Sequence, residues 1–280
     1  MQITRSFLRE HGLLPRKSIA QHLLSDEQVM NDIVDALNIH RDDYILEIGA
    51  GCGSLTGCLL ERIEEVGGKN SGITAVEIDE RYVHYLSGRF GANPRFKVLK
   101  QDILKMDISR GFDRNIKVAG NIPYYISSPI MRLLFRSHGL ISDIVVMLQK
   151  EVGMRIAAVP SEEHFGLLSV MRMLHYDARI VRHVDRKLFT PAPKVDSVIM
   201  ALHVHEPLLD NDRENALLGT LRQVFSARRK MLRNTLKPLG TSSEIETWCS
   251  KADIDLHDRA ENIDLKRWIR FLDAYGKCPS

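Results

Sequence analysis

Apolar runs and segments with helical spacing alternate along the first half of the chain. Short continuous apolar runs favour buried strands, and apolar residues three or four positions apart favour helices. The pattern predicts strands at residues 44–48, 73–77, 96–99, 116–119 and 144–148, and helices over residues 28–37, 55–63 and 81–90. This alternation predicts a parallel sheet that helices cover on both faces, and right-handed crossovers would make it doubly wound.

The pattern changes in the second half of the chain. A helical stretch at 166–174 precedes two strand-like runs, 178–184 and 197–204, which predict an antiparallel pair added to the sheet. From residue 208 the spacing is helical, and one predicted helical face carries Leu221, Phe225, Leu232 and Leu236. We therefore predict an α/β, Rossmann-like domain with a mostly parallel seven-stranded sheet at residues 1–206, and a small all-helical domain at residues 207–280.

Composition limits the class of protein. The chain has 280 residues, of which 44% are hydrophobic and 27% are charged, and this is typical of a soluble globular protein. The first residues resemble no secretory signal, and no run approaches the roughly 20 apolar residues of a membrane span. The four cysteines form no C-x-x-C pair, and His203 and His205 alternate along a predicted strand, where two such histidines are usually surface residues. We therefore expect a reducing, cytoplasmic location and no metal site.

Positive charge is concentrated near the end of the chain, although the net charge is only +3. No acidic residue lies within residues 222–237, and the N-terminal arm through Lys17 is also basic. The positive residues of that segment are Arg222, Arg228, Arg229, Lys230, Arg233 and Lys237. This concentration favours salt-sensitive contacts with RNA phosphates, and a solvated helix face is the plainer alternative.

A glycine-rich loop follows the first strand. Glu47, Gly49, Gly51 and Gly53 form the pattern E-x-G-x-G-x-G, and such a loop lets a nucleotide-like cofactor approach the backbone closely. The dinucleotide fingerprint G-x-G-x-x-G would need glycine where this chain has Ser54. A phosphate-loop motif is also absent from the sequence, so the pattern points away from both of these ligand classes.

Carboxylates follow the next two strands. Glu77 ends the second strand, where it can bind ribose hydroxyls, and Asp102 follows the third, where it can accept a hydrogen bond from an adenine amine. Each carboxylate also has an interpretation without a ligand: Glu77 as a solvated side chain at a strand end, and Asp102 as a helix cap or turn residue. Because ligands bind at the carboxyl ends of parallel strands, the combination with the glycine loop and Asn121 favours a cofactor site.

The fourth strand is followed by the reaction-site candidate Asn121-Ile122-Pro123-Tyr124. An exocyclic amine on an aromatic base is a poor nucleophile, because its lone pair is delocalised into the ring. The Asn121 side-chain oxygen and the Ile122 carbonyl, which Pro123 holds rigid, can accept its two hydrogens. Tyr124 offers a face on which the base can stack, and such stacking contributes about 1–3 kcal/mol per base. A plain turn after a strand is the alternative.

Taken together, these residues resemble the S-adenosylmethionine-dependent methyltransferases that act on amino nitrogens. The closer resemblance is to the small-subunit ribosomal RNA adenine N6-dimethyltransferase family (the KsgA type), and it extends over almost the whole chain. The matching stretches are residues 20–24, 47–56, 76–79, 101–102, 121–129, 148–152, 189–197, 228–230, 233–234 and 259–262. The resemblance implies the Rossmann-like methyltransferase fold and S-adenosyl-L-methionine as cofactor.

The resemblance also implies roles for individual residues. Residues 21–24 would close over the methionine end of the cofactor, although His22 here replaces the usual asparagine. Phe189 would pack on the target adenine opposite Tyr124 and form a clamp around a flipped base. The implied cofactor-binding residues are Gln21, His22, Leu24, Glu47, Gly49, Gly51, Glu77, Ile78, Asp102, Ile103 and Asn121. The implied catalytic residues are Asn121, Ile122, Pro123, Tyr124 and Phe189.

The expected reaction is a direct displacement, in which an adenosine amine attacks the sulfonium methyl group in line. A pyrimidine C5 methylase would need a cysteine nucleophile, and Cys52 fits a small residue that fills the glycine loop. The resemblance implies that the target is two neighbouring adenosines in a hairpin loop near the 3′ end of small-subunit RNA. Each would be dimethylated in an assembling subunit, by an enzyme that we expect to be a monomer.

Two other classes of protein remain open from the sequence. A non-catalytic assembly or transcription factor could keep the fold and the RNA surface without turnover. Five intact residues argue instead for activity: Asn121, Tyr124, Phe189, Glu77 and Asp102. A DNA adenine methylase would usually carry a dedicated target-recognition domain. The helical C-terminal part, about 70 residues long, is small for such a domain.

Overall fold

The computed structural model describes residues 4–16, 22–24, 26–227 and 230–276. The strands are β1 (Leu23–Leu24), β2 (Tyr44–Ile48), β3 (Gly72–Glu77), β4 (Phe96–Lys100), β5 (Ile116–Asn121), β6 (Ile141–Gln149), β7 (Tyr176–Val184), β8 (Phe189–Thr190) and β9 (Ser197–Val204). The helices are α1 (Arg5–Glu10), α2 (Glu27–Leu37), α3 (Ser54–Val66), α4 (Glu80–Phe90), α5 (Ile108–Gly111), α6 (Ser127–Arg136), α7 (Lys150–Ala157), α8 (Leu167–Met173), α9 (Asn211–Phe225), α10 (Leu232–Thr235), α11 (Ser242–Ala252) and α12 (Leu265–Tyr275). No helix in the described ranges is long and apolar enough to cross a membrane.

The seven longer strands form one sheet in the order β4-β3-β2-β5-β6-β9-β7. The first five strands in this order, β4, β3, β2, β5 and β6, are parallel to one another, whereas β9 is antiparallel to β6. The predicted α/β fold with a mostly parallel seven-stranded sheet is therefore confirmed. The chain runs outward from β2 to β4 and then places β5 on the other side of β2. The carboxyl ends of β2 and β5 thus form a switch point, where such sheets open a crevice.

Burial on both faces of the sheet fixes the strand ends in place. Ile45 on β2 lies in the same apolar core as Ile33 on α2 and Leu59 on α3, and all three side chains are buried. Burial of one such side chain contributes about 1.5–3 kcal/mol. A shift by one residue would turn these side chains to the opposite face, so the core also fixes which residues end each strand.

The chain divides into two compact units. The first comprises Met1–Gly153 and Ala178–Val204 and contains the parallel strands, and the second comprises Met154–Asp177 and His205–Ser280. The predicted boundary at residues 206 and 207 places residues 154–177 with the sheet, whereas this division assigns them to the second unit. Within that unit, Arg172 on α8 donates hydrogen bonds to the carbonyls of Ile156 (3.0 Å) and Ala157 (3.2 Å), which close the end of α7.

Aromatic side chains hold the helices of the second unit together. Trp248 on α11 meets Phe271 on α12 edge to face, with ring centroids 6.2 Å apart. Trp268 is fully buried and contacts the same phenylalanine at 5.8 Å. Such edge-to-face pairs contribute about 0.5–1.5 kcal/mol beyond the area that they bury.

The prediction of one helical face through residues 221–237 is wrong. The helix α9 ends at Phe225, and α10 begins only at Leu232. The Leu232 N–H donates to the carbonyl of Asp258 (2.8 Å), so a bond to a distant segment replaces the bond that a continuing helix would make. Three of the apolar positions are nevertheless buried, as their spacing predicted: Leu221, Leu232 and Leu236.

Candidate active site

A cleft opens in the first unit at the carboxyl ends of the parallel strands. Its walls come from the segments that follow β2, β3, β4 and β5, the four strand ends that carry the predicted site residues. The cleft brings together His22, Leu24, Glu47, Gly49, Gly51, Glu77, Ile78, Asp102, Ile103, Asn121, Ile122, Pro123 and Tyr124. Phe189 does not line it, and Gln21 lies outside the described residues.

The glycine loop after β2 is tied to the end of β3. Gly51 has a φ of +53°, and a Cβ atom there would approach the Leu23 side chain to 3.2 Å. Its N–H donates to Glu77 Oε2 at 3.0 Å. A side chain at position 51 would thus be strained and crowded. Glycine keeps this part of the cleft open beside its backbone.

Glu77 is held by the backbone on both of its carboxylate oxygens. In addition to the bond from Gly51, the N–H groups of Ile78 and Asp79 donate to Oε1, each at 2.9 Å. Burial raises the pKa of Glu77, against the effect of these hydrogen bonds. A carboxylate has about four acceptor positions, so three backbone bonds leave capacity for one more donor in the cleft.

Glu47 is the most deeply buried carboxyl group in the wall of the cleft, with 1% of its surface exposed. The Thr56 hydroxyl donates to its Oε2 at 2.7 Å. Burial raises the pKa of Glu47 to about 7, because charge is costly in an environment without water. This carboxyl group therefore changes its protonation near neutral pH.

Asp102 forms the turn cap that its ordinary interpretation predicted, and it also lines the cleft. Its Oδ1 accepts a hydrogen bond from the Leu104 N–H at 3.0 Å, at the start of a short 3-10 turn. That bond fixes the carboxyl group while its other oxygen, Oδ2, stays available as an acceptor. The two interpretations of Asp102 are thus compatible.

The side chain of Asn121 is oriented by the backbone of His22. Its Nδ2 lies 3.1 Å from the His22 carbonyl oxygen. A carbonyl oxygen can only accept, so the amide must present its NH₂ group there. The Asn121 Oδ1 atom is therefore the end of the amide that remains to accept hydrogen bonds. The following residue is also fixed, because the Ile122 N–H donates to the Met147 carbonyl at 2.9 Å.

Tyr124 is held at both its hydroxyl and its ring. The hydroxyl lies 2.5 Å from the Ser197 hydroxyl, at the start of β9. The ring stacks with that of His22, with centroids 5.3 Å apart and planes inclined by 25°. Burial raises the pKa of Tyr124, so the phenol keeps its proton. A base that stacks on Tyr124 would contact an oriented but uncharged ring.

Phe189 lies in the apolar core. It is 3% exposed, and β8 pairs with β1 so that Phe189 faces Leu24. The structure therefore does not bring Phe189 and Tyr124 together as two walls of one site. The proposed clamp stays a prediction.

One group of contacts beside the cleft has no counterpart in the sequence pattern. Tyr82 lines the cleft, and its hydroxyl donates to the Leu13 carbonyl at 2.9 Å. The neighbouring Arg81 bonds to Asp79 and to the carbonyls of Gly12 (3.2 Å) and Leu14 (3.1 Å). The segment after α1 is thus fastened next to Glu77. Pairs nearly 70 positions apart leave no local signal in a sequence.

The described basic residues of the predicted RNA surface are exposed. They are Arg222, Lys230, Arg233 and Lys237, all in the second unit. Arg228 and Arg229 lie outside the described residues. Because the helix is interrupted, these charges lie on two helices and the segments beside them. They do not form one helical stripe.

The chain is similar to known proteins over almost its whole length. A family model described as "Ribosomal RNA adenine dimethylase" matches residues 13–277. "Ribosomal RNA small subunit methyltransferase A" of Clostridium acetobutylicum is 33% identical over 274 residues, which cover 96% of this chain and 97% of the relative. The protein of the same name from Pseudomonas syringae pv. syringae is 37% identical over 265 residues, which cover 94% and 95%.

Solved structures give the same result. A dimethyladenosine transferase from Plasmodium falciparum superposes with a TM-score of 0.74 at 26% identity, over 91% of this chain and 98% of that one. The 23S rRNA methyltransferase ErmE superposes with a TM-score of 0.70 at 24% identity, over 91% and 100%, and supports the fold alone. The predicted resemblance and methyltransferase fold are confirmed. The chain therefore belongs to the ribosomal RNA adenine dimethylase family, enzymes that take their methyl groups from S-adenosylmethionine.

Proposed function

We propose that this enzyme dimethylates the N6 amines of two neighbouring adenosines in the hairpin loop near the 3′ end of small-subunit ribosomal RNA. The relatives that carry the name of a small-subunit methyltransferase support the choice of subunit. The observation that carries the proposal is the continuity of the cleft. One cleft joins the glycine loop and Glu77 to the oriented amide of Asn121.

The glycine-loop end of the cleft fits S-adenosylmethionine. Gly49 and Gly51 leave room for a ligand beside the backbone, and Glu77 keeps an acceptor position for a ribose hydroxyl. Asp102 keeps Oδ2 for the adenine amine, and the exposed side chain of Ile78 offers an apolar wall. The remaining proposed contacts are Gln21, the backbone of His22, Leu24, Glu47 and Ile103. When bound, the cofactor supplies a methyl group on a positively charged sulfur.

The other end of the cleft holds the target amine. Asn121 Oδ1 and the Ile122 carbonyl accept its two hydrogens, and Pro123 limits the movement of that peptide. Acceptors on both hydrogens favour a more tetrahedral nitrogen, whose lone pair is then better able to attack. Tyr124 stacks on the base and fixes the plane of its ring. These residues contribute orientation and polarisation, and no covalent enzyme intermediate is needed.

The second unit supplies phosphate contacts through its exposed basic residues. Replacing Arg222, Arg233 and Lys237 with glutamate should weaken RNA binding. The plot of the logarithm of the binding constant against the logarithm of salt concentration should become less steep by about three units of slope, one for each lost contact. A control variant reverses three exposed basic residues of the sheet unit, Arg41, Lys69 and Arg110. An unchanged slope in the first variant would place the RNA elsewhere.

We further propose that the enzyme acts as a monomer, without a metal ion, on assembling small subunits in the cytoplasm. The substrate supports this location, because ribosomal RNA is modified where subunits assemble. The acceptors at the reaction end are neutral amide oxygens, which polarise an amine without a metal. Sedimentation of the enzyme alone and with subunits would test the stoichiometry.

The decisive experiment is methyl transfer from labelled S-adenosylmethionine to unmethylated small ribosomal subunits. After nucleoside digestion and mass analysis, we expect label in N6,N6-dimethyladenosine at two neighbouring positions. Unmethylated large-subunit RNA and duplex DNA are tested as alternative substrates and should remain unlabelled. Tight subunit binding with no transfer would instead favour a non-catalytic assembly factor.

A further inference from the structure

His22 contacts three parts of the proposed reaction site. Its ring stacks on Tyr124, its carbonyl oxygen accepts the bond from Asn121 Nδ2, and its Nδ1 lies 2.7 Å from the Pro191 carbonyl. Because a carbonyl can only accept, Nδ1 must carry the proton in this bond. His22 thus connects the end of β5 to the loop that follows β8.

The stacked rings leave no space for a base between them. Their centroids are 5.3 Å apart, whereas a ring inserted between two others needs about 3.5 Å on each side, or about 7 Å in all. Both His22 and Tyr124 line the cleft. The imidazole therefore covers one face of Tyr124 at the border of the cleft.

We propose that the His22 imidazole occupies the base-stacking face of Tyr124 until RNA binds, and that the target adenine must displace it. This inference rests on the proposed function, because it takes Tyr124 as the stacking surface for the target. It makes His22 a positioning residue that sets the energy needed for a base to enter. The side chain and the backbone of His22 then have separate roles.

Displacement can be limited to the side chain. Rotation of the imidazole away from Tyr124 breaks the stack and the bond to Pro191, but it leaves the His22 carbonyl in place. The Asn121 amide therefore keeps its orientation while the base enters. The incoming base replaces the ring contact and gains hydrogen bonds from its amine to the acceptors of Asn121 and Ile122.

This exchange also favours adenine over other bases. A purine has two fused rings and covers more of Tyr124 than an imidazole does, whereas a pyrimidine has one ring and gains less by the exchange. Guanine has a carbonyl at the corresponding position, which would face two acceptors without a hydrogen to donate. Adenine gains the larger stack and both hydrogen bonds, whereas cytosine, which also carries an amine, gains only the smaller stack.

The test compares His22→Ala, His22→Asn and His22→Phe with the wild type. The control variant is His40→Ala, because His40 lies in the turn before β2, at the opposite end of the strands. All these variants keep the backbone carbonyl of residue 22. We expect His22→Ala and His22→Asn to lower the KM for small subunits about fivefold, the effect of losing one ring-on-ring contact, with kcat unchanged. His22→Phe, which can still stack, should lie closer to the wild type.

A second measurement separates competition for Tyr124 from a structural role. In a Tyr124→Leu background, His22→Ala should lower KM no further, since the two rings act through one contact. Because the proposed contact of residue 22 with S-adenosylmethionine is made by the backbone, the affinity for the cofactor, measured by calorimetry, should change less than twofold in every His22 variant.

Three outcomes would overturn the inference: an unchanged KM, a raised KM, or loss of folding in both the alanine and the asparagine variants. Failure of the proposed function gives a different result. In that case the wild-type enzyme itself transfers no methyl group to ribosomal RNA.

Discussion

The two ends of the cleft differ in how their polar groups are held. At the end that carries the glycine loop, which we call the cofactor end, three backbone N–H groups fix Glu77, which is 6% exposed. At the end that carries Asn121 and Tyr124, which we call the base end, Tyr124 is only half-buried. Its position depends on one hydroxyl bond to Ser197 and on a stack with His22. Backbone bonds form with the fold, whereas side-chain contacts can be exchanged. The proposed cofactor end is thus pre-formed, and we propose that the base end rearranges when RNA binds.

The largest effect is expected from Asn121→Ala, at the junction of the two ends. The variant loses the oriented acceptor of the amine and the bond to the His22 carbonyl. Transfer should become undetectable, while affinity for S-adenosylmethionine should fall by no more than about tenfold, or about 1.4 kcal/mol. The assay is labelled transfer combined with calorimetry. Asn115→Ala, an exposed asparagine just before the same strand, is the matched control, and normal transfer by Asn121→Ala would remove that residue from its proposed role.

Among changes at the cofactor end, Glu77→Gln should reduce the affinity for S-adenosylmethionine most strongly. A glutamine amide has one acceptor oxygen, so its NH₂ group must face a backbone donor, either at Gly51 or at Ile78 and Asp79. We expect affinity for S-adenosylmethionine to fall about 100-fold, from the loss of one charge-assisted bond and the disturbance of the loop. Calorimetric titration measures this. If affinity stays within threefold, the ribose is bound elsewhere.

The residues at the strand ends could be predicted from the sequence, but the distant residues that contact the site side chains could not. Glu77 and Asn121 end apolar runs, and glycine spacing marks the loop, so local pattern alone places these residues at one edge of a sheet. The His22 ring meets Pro191, which lies 169 positions away, and Tyr124 meets Ser197, which lies 73 away. Such pairs depend on packing across the whole sheet.

Phe189 shows the same limit in another form. An aromatic residue at the start of a proline-rich loop fits both a base clamp and a buried core, and the sequence does not distinguish them. The pairing of β8 with β1 decides its environment in the structure, and that pairing joins residues far apart in the chain. The late start of α10 has a similar cause, since the N–H groups of Leu232 and Arg233 donate to the distant carbonyls of Asp258 and Leu256.

Glu47→Gln should alter stability rather than binding geometry. The folded-state pKa of Glu47 is about 7 and its ordinary value is 4.5, so the folded chain binds more protons than the unfolded chain between these values. The free energy of unfolding of the wild type should therefore decrease as the pH rises from 4.5 to 7. The variant should lack this decrease and be more stable above pH 7 by about 3 kcal/mol.

Urea unfolding at pH 5 and at pH 8, without cofactor, measures this difference. Glu61→Gln, an exposed carboxyl group on the same helix as Thr56, is the control and should follow the wild type at both values. A variant whose stability tracks the wild type across this range would show that Glu47 is ionised at little cost. The cofactor end would then be less rigidly buried than the structure indicates.

The smallest effect is expected at the base end, from Ser197→Ala and Tyr124→Phe. Each removes the same hydroxyl bond and leaves the stacking face of the ring intact. One neutral hydrogen bond contributes about 0.5–1.5 kcal/mol, so kcat/KM for RNA should fall by about two- to tenfold, with cofactor affinity unchanged. The double variant should match either single one, because both lose one shared bond. Additive losses would mean that Ser197 acts through a second partner, and a loss as large as that of Asn121→Ala would show that the base end is as rigid as the cofactor end.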